Sequence, residues 1–363
     1  MFDFLIIGAG IAGASAAAEL APHGSTLIVE AEDAPGYHAT GRSAAMFLEN
    51  YGNAVVCALN SASAPSHHDM GILSKRAFLL LGTEGQDSAF AAEAEGFDAK
   101  EISIPEAQRL LPILNPETAT RAALYSDAFD LDTDLMLQTY LRRAKAAGAQ
   151  LVTKARITAI TRKQGLWHVT AGDQTWQAAK IINAAGAWAD TVAQIAGIAP
   201  LGIQPLRRSM ARLAAPGGHD VSNWPFVDAL GESWYAKPDA GGLIVSPSEE
   251  EPMPPQDAWA DDMVIAEALY RYSAYVTEEP TRPLATWAGL RSFAPDRALV
   301  IGPDGAEPDF IWCAGQGGYG FQTAPAAARL TADLTLARAP LLGPETVAAL
   351  NPARFSGAAT SEG

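Results

Sequence analysis

The chain is predicted to adopt a mixed α/β fold, with a Rossmann-like nucleotide domain interleaved with a second domain built on an antiparallel sheet. Three observations predict it. The N-terminus, DFLIIGAGIAGASAAAEL…STLIVE, reads as strand, glycine turn, helix, strand and closing acid. Glycine-containing strand-to-helix turns recur near residues 186 and 315. β-rich material lies between these turns, so the nucleotide unit is interrupted twice. The expected boundaries are 1–74, 130–203 and 284–355 for the nucleotide domain and 75–129 and 204–283 for the second, with a disordered tail at 356–363.

In the opening unit Phe2 to Ile7 is the first strand, Gly8 permits the tight turn, and Gly10 lets the backbone approach a pyrophosphate with Ala9 between them. Gly13 lets the helix pack on the strand, and the helix N-terminus faces the phosphates. Glu30 ends the strand Ser25 to Val29, where a carboxylate takes ribose hydroxyls. Pro35, Gly36 and Gly41 then punctuate a loop, and Ser43 to Phe47 is read as a helix start. Helices are expected at 106–111, at 132–148 with an apolar stripe of Leu135, Leu137, Tyr140 and Leu141, and at 261–275. Strands are expected at 150–153, 167–171, 180–183, 207–213, 233–236, 242–246, 299–301 and 310–313, with an acidic, proline-rich loop at 247–255. The turn GQGGYGFQT feeds a last helix.

The 363 residues are 48% hydrophobic and 18% charged, with a net charge of -16. That sign argues against nucleic acid and anionic membrane surfaces, and no metal site is expected. Two cysteines, Cys57 and Cys313, make no disulfide framework, and Cys313 reads as a small core residue. The stretch 4–18 is apolar, but no Lys or Arg precedes it, so it is not read as a signal peptide. The expected location is cytoplasmic, with attachment to the periphery of the inner membrane left open.

Seven segments carry a family likeness: DFLIIGAGIAGAS, PGYHATGRSAA, INAAGAWAD, PLGIQPLRRS, ESWYAKPDAG, TWAGLRSFAPD and GQGGYGFQT. They span nearly the whole chain. The chain resembles the D-amino acid oxidase superfamily of FAD-dependent amine oxidoreductases, and within it the bacterial D-arginine and D-amino acid dehydrogenase branch. The resemblance implies FAD, an interleaved fold, and a substrate domain whose sheet roofs the flavin. It implies that Gly41, Arg42, Ser43 and Ala44 line the flavin and pyrophosphate, and that Ala184, Ala185, Gly186 and Trp188 pack on the adenosine side. Gly317, Gly318, Tyr319, Gly320 and Gln322 would approach the ring. Some relatives attach the flavin through a cysteine near TWAGLRSF; none stands there in this chain, so non-covalent FAD is expected.

The chemistry implied is oxidative deamination of a D-amino acid. A hydride leaves Cα for flavin N5, and the imino acid hydrolyses to a 2-oxo acid and ammonia. Arginine suits the substrate carboxylate because its planar fork binds bidentately and stays charged. The family match assigns this to Arg291, whose structural alternative is an ion pair with Asp296, and to Arg208. Arg207 alternates to the other face, toward solvent or a neighbouring carboxylate. Tyr235 and Tyr51 are hydroxyl donors at the carboxylate or pocket mouth, with ordinary packing as their alternative. No general base stands out; His23, His67, His68 and His168 read as surface residues.

Two departures bear on specificity. Met46 replaces the branch's histidine after GRSAA, and Phe78 in SKRAFLL replaces its side-chain-binding acid. With Gly318 and Gln322 they would line a pocket that favours apolar or aromatic D-amino acids over D-arginine. The electron acceptor is oxygen, a quinone or another carrier. The rival readings are a glycine or sarcosine type amine oxidase, a flavoprotein without amino acid turnover, and an NAD dehydrogenase.

Overall fold

The structure is a computed structural model that describes residues 1–355; the tail expected at 356–363 lies outside the described residues. Its nucleotide sheet has eight strands. The parallel centre runs Gln150–Val152, Thr26–Val29, Phe2–Ile7, Gln174–Asn183 and Phe310–Ala314. Ala159–Lys163 and Leu166–Ala171 add antiparallel strands on the first half of Gln174–Asn183, and Val300–Pro303 pairs antiparallel with Phe310–Ala314. Phe4, Ile6 and Ile28 meet the helices Ile11–Leu20 and Thr133–Ala146 on one face, while Leu5, Leu27, Val29 and Ile181 form the core on the other. Both faces are covered at 4–7, Thr26–Val29 and Phe310–Ala314, which is why these stretches read as apolar runs.

The second sheet has nine strands. Ala285–Phe293 lies along Gln204–Leu213, followed by Gly242–Ser246, Tyr235–Asp239, Phe226–Ala229, Phe78–Gly82, Arg121–Tyr125 and Lys100–Ile102. All pairs are antiparallel except Phe226–Ala229 with Phe78–Gly82, which is parallel. Ala285–Phe293 falls in the segment read from sequence as nucleotide domain, yet its hydrogen bonds belong to this sheet. A third, three-stranded sheet joins Met46–Phe47, Phe129–Leu131 and Leu73–Lys75.

Several local expectations are corrected. Ser43 to Phe47 starts no helix; Met46–Phe47 is a strand. The helix is Ala54–Met70, begun by Asn53, whose side chain accepts the Val56 amide at 3.0 Å. Leu135 is exposed, and the buried stripe of Thr133–Ala146 is Met136, Leu137, Tyr140 and Ala144. Glu251–Pro252, inside the expected acidic loop, forms an edge strand against Leu206 and Arg207. Among the described residues no helix is long and apolar enough to cross a membrane.

Candidate functional site

A cleft of about 390 Å³ runs between the two large sheets, from Gly8 and Glu30 at one end to Phe78, Asp228 and Arg291 at the other. Its nucleotide end is built by the first βαβ unit. Gly8 has φ of 101°, and a Cβ there would stand 2.5 Å from the Ala184 carbonyl oxygen. A Cβ on Gly13 would stand 1.9 Å from the Gly8 carbonyl oxygen, so helix and strand touch only because both lack side chains. The helix Ile11–Leu20 starts at Gly10 without a side-chain cap inside its own turn, and Gly10, Ile11 and Ala12 line the cleft. Thr40 Oγ1 accepts the Ile11 amide at 3.0 Å and so closes the approach from the loop side. Glu30 is fixed by two amides, Ala9 at 2.7 Å and Glu32 at 2.9 Å, which leaves lone pairs of its carboxylate for a further donor.

The other end is roofed by the second sheet. Cross-strand register sets its geometry: Arg208 faces Gly289 and Leu206 faces Arg291, so Arg208 and Arg291 are diagonal neighbours on one sheet face. Arg207 is on the opposite face, but it is buried rather than exposed, and it pairs with Glu251. Arg208 is also buried. It donates to the Glu249 carbonyl at 3.0 Å and lies 3.6 Å from Glu232 and 3.5 Å from Glu250.

Arg291 differs. Its expected structural partner, Asp296, is taken by Arg354 at 2.7 Å, and no carboxylate of the described residues lies within ion-pair distance of Arg291. Its guanidinium faces Tyr51 and Tyr235. Burial disfavours its charge, but these hydroxyls and Glu232 outweigh that and hold its pKa above the ordinary value. Burial pushes the Tyr51 hydroxyl up to about 12, so it stays a proton donor. The Tyr235 hydroxyl is buried without a hydrogen-bond partner. Gly318 leaves the space Arg291 uses, since a Cβ there would stand 3.1 Å from Nη1.

Most residues picked from sequence converge on this cleft: Gly8, Gly10, Glu30, Arg42, Ser43, Ala44, Met46, Tyr51, Phe78, Ala184, Ala185, Gly186, Trp188, Arg208, Tyr235, Arg291, Gly317, Gly318, Gly320 and Gln322 line it. Ala9, Gly13, Gly41 and Tyr319 stand behind the wall; Tyr319 packs on Tyr51 at 5.4 Å. Arg42 reaches the wall with its fork already committed, to the carbonyls of Ala258 and Ala288 and to Asp257. It ties the loop to the second sheet. Gln322 donates to the Tyr51 carbonyl at 3.3 Å. The helix Gly320–Thr335 opens on the cleft with no side-chain cap.

Sequence reading missed Asp228 and Glu232, which also line the cleft. It placed His67 on the surface, but His67 is fully buried and bonds the Gln322 carbonyl at 2.8 Å. Burial lowers its pKa, so it is neutral there. Cys313 is buried, as its strand setting suggested, and burial pushes its thiol up to about 11. Neither cysteine lines the cleft.

A family model described as "DAO: FAD dependent oxidoreductase" matches residues 3–334. N-methyl-L-tryptophan oxidase of Escherichia coli O7:K1 is 25% identical over 362 residues, covering 92% of this chain and 94% of that protein. FAD-dependent oxidoreductase domain-containing protein 1 of Bos taurus is 26% identical over 182 residues, and its Xenopus laevis counterpart is 26% identical over 177. Those matches span only 37% and 35% of the two proteins' lengths. Among solved structures, glycine oxidase from Geobacillus kaustophilus aligns with a TM-score of 0.83 at 20% identity, covering 97% of this chain and 98% of that one. L-proline dehydrogenase from P. horikoshii aligns with a TM-score of 0.83 at 21% identity, covering 98% of both chains. At these identities the likeness is one of fold.

Proposed function

Since the chain belongs to the DAO family of FAD-dependent oxidoreductases, we propose that it oxidises α-amino acids at the C–N bond, D-amino acids with apolar or aromatic side chains first among them. One observation carries the reading: Arg291 is a cation inside the cleft with two tyrosine hydroxyls beside it and no acid of the described residues within ion-pair distance. A protein that only stores FAD has no use for such a group. A substrate carboxylate supplies the missing charge, bound bidentately by the guanidinium. Tyr51 and Tyr235 donate to the same carboxylate.

The residues present fit FAD. Glu30 has free lone pairs for ribose hydroxyls, the start of Ile11–Leu20, which has no side-chain cap from its own turn, suits a pyrophosphate, and the glycines 317, 318 and 320 leave one wall open to a flat ring. With no thiol in the wall, we propose that it is held non-covalently. Bound FAD supplies the hydride acceptor for the Cα–H bond. The chain's own residues hold the carboxylate, fix which face of Cα is presented, and exclude water. The substrate amine sheds its ammonium proton to solvent before or on binding, and the imino acid product hydrolyses to a 2-oxo acid and ammonia.

Met46, Leu48, Phe78, Phe97, Met210 and Phe226 give the side chain an apolar wall. This wall favours a bulky side chain over glycine. A second reading, oxidation of an N-methylated amino acid, draws on the relative of nearly full length, N-methyl-L-tryptophan oxidase. Anaerobic titration of the yellow holoenzyme separates the two. Bleaching by D-leucine or D-phenylalanine but not by the L-isomers supports the first; bleaching only by sarcosine or N-methyl amino acids transfers the assignment to the second. A colourless purified protein, or no bleaching by any amino acid, overturns both.

A further inference from the structure

One side chain of the cleft wall has no task in that chemistry. Asp228 is only 6% exposed, lines the cleft, and its Oδ1 has no hydrogen-bond partner. Its strand, Phe226–Ala229, lies three strands from that of Arg208 and four from that of Arg291. Across the strand pair Asp228 stands directly opposite Tyr235, so it belongs to the wall of the substrate end of the cleft.

Its surroundings are aromatic. On its own strand face stands Phe226, stacked on Tyr235 at 5.1 Å and on Phe78 at 5.8 Å, and Phe78 meets Phe97 at 4.5 Å. A flat ring fits such walls. An unmet carboxyl oxygen among them requires a donor on that ring. We infer that Asp228 is a specificity-determining residue that accepts a hydrogen bond from an N–H or O–H on an aromatic substrate side chain, a phenol or an indole. This rests on the reading of the cleft as an amino acid site. Burial, followed by the charges of Glu232 and Glu93, pushes the Asp228 carboxyl well above the ordinary carboxylate range against the opposing pull of Arg208 and Arg291, which favours a neutral partner over a cation. A buried polar group left unpaired is the strongest means a pocket has of rejecting an analogue that lacks the donor.

The test compares ligands that differ by one oxygen. The absorbance of the holoenzyme is titrated with 3-(4-hydroxyphenyl)propionate and with 3-phenylpropionate, neither of which can be oxidised at a C–N bond, and kcat/KM is measured for tyrosine and phenylalanine of each hand. Wild type is expected to favour the hydroxylated member at least tenfold in both measurements, and Asp228→Leu to abolish or invert that preference. Asp228→Asn, isosteric and uncharged, serves as the folding control through its Tm and retains part of the preference. Equal affinity for the two propionates in wild type overturns the inference, as does a preference that survives in Asp228→Leu. Faster turnover of lysine than of tyrosine also overturns it, because the carboxyl would then be an ion-pair partner. If no amino acid is turned over, the amino acid reading fails, while the propionate titration still decides the role of Asp228.

Discussion

Replacing Arg291 by methionine separates a substrate-binding arginine from a structural one. Methionine keeps most of the apolar stem and removes the charged fork. Because no acid of the described residues pairs with Arg291, the substitution strands no carboxylate in the free protein and removes a buried cation without a counterion. Tm should therefore hold or rise. With substrate bound the situation reverses, because the carboxylate loses its partner. Truncating one side of a buried, hydrogen-bonded charge pair costs about 2–5 kcal/mol, so kcat/KM should fall by roughly 30- to 5,000-fold. Steady-state kinetics with D-phenylalanine, alongside thermal unfolding of the holoenzyme, reads both. The loss should enter through KM, since the grip exists in the ground state, and Arg291→Lys should recover part of it as a point charge. An unchanged kcat/KM, or a Tm several degrees lower with no kinetic defect, refutes the carboxylate role.

Further outcomes follow from neighbouring geometry. Gly318→Ala places a Cβ 3.1 Å from Arg291 Nη1, so the fork must shift; kcat/KM should fall about tenfold while flavin content, measured by absorbance, stays stoichiometric. Glu30→Gln loses the charge that accepts the Ala9 and Glu32 amides and should weaken FAD retention by roughly 10- to 150-fold, read by flavin fluorescence on dilution. Because the folded-state pKa of Asp228 lies above the ordinary 3.8, its ionisation opposes folding. The stability present below about 3.8 is then lost as pH rises through the folded pKa, so the Tm advantage of Asp228→Asn over wild type should be absent in acid and widen toward neutrality. A constant difference across pH contradicts the raised pKa.

The parallel centre of the nucleotide sheet was legible because strands buried on both faces announce themselves as apolar runs, and because glycines 8 and 13 sit where only glycine fits. The helix Ala54–Met70 was not. Asn60, Ser63 and His67 look like surface residues, yet all three are buried, Asn60 on the carbonyls of Leu48, Glu49 and Tyr51 and His67 on that of Gln322. Their polarity serves backbone groups that other segments leave unpaired, which no periodicity can reveal. Asp228 was invisible for a related reason. Its neighbours in sequence, Val227 and Ala229, belong to the core behind the sheet, and only the parallel register with Phe78–Gly82 turns Phe226 and Asp228 onto the cleft face.

The same register explains why the two arginines, alike in sequence, differ in the site. Arg208 and Arg291 share a sheet face, but Arg208 lies next to the acidic segment that returns as Glu251–Pro252, so Glu249, Glu250 and Glu232 already surround it. Arg291 projects past that segment toward Gly318 and the tyrosines. A bound carboxylate at Arg208 must compete with Glu232 and Glu250, whereas no carboxylate of the described residues lies within ion-pair distance of Arg291. On the proposed reading the grip falls to Arg291, while Arg208 engages Glu232 and Glu250. Glu232→Gln tests this division. Freed of one acid, Arg208 should draw the substrate carboxylate more strongly, so KM should fall, with the larger effect at low ionic strength where the exposed Glu232 is least screened. A KM that rises on losing Glu232 would instead make that acid part of the grip, and the roles of the two arginines would have to be exchanged.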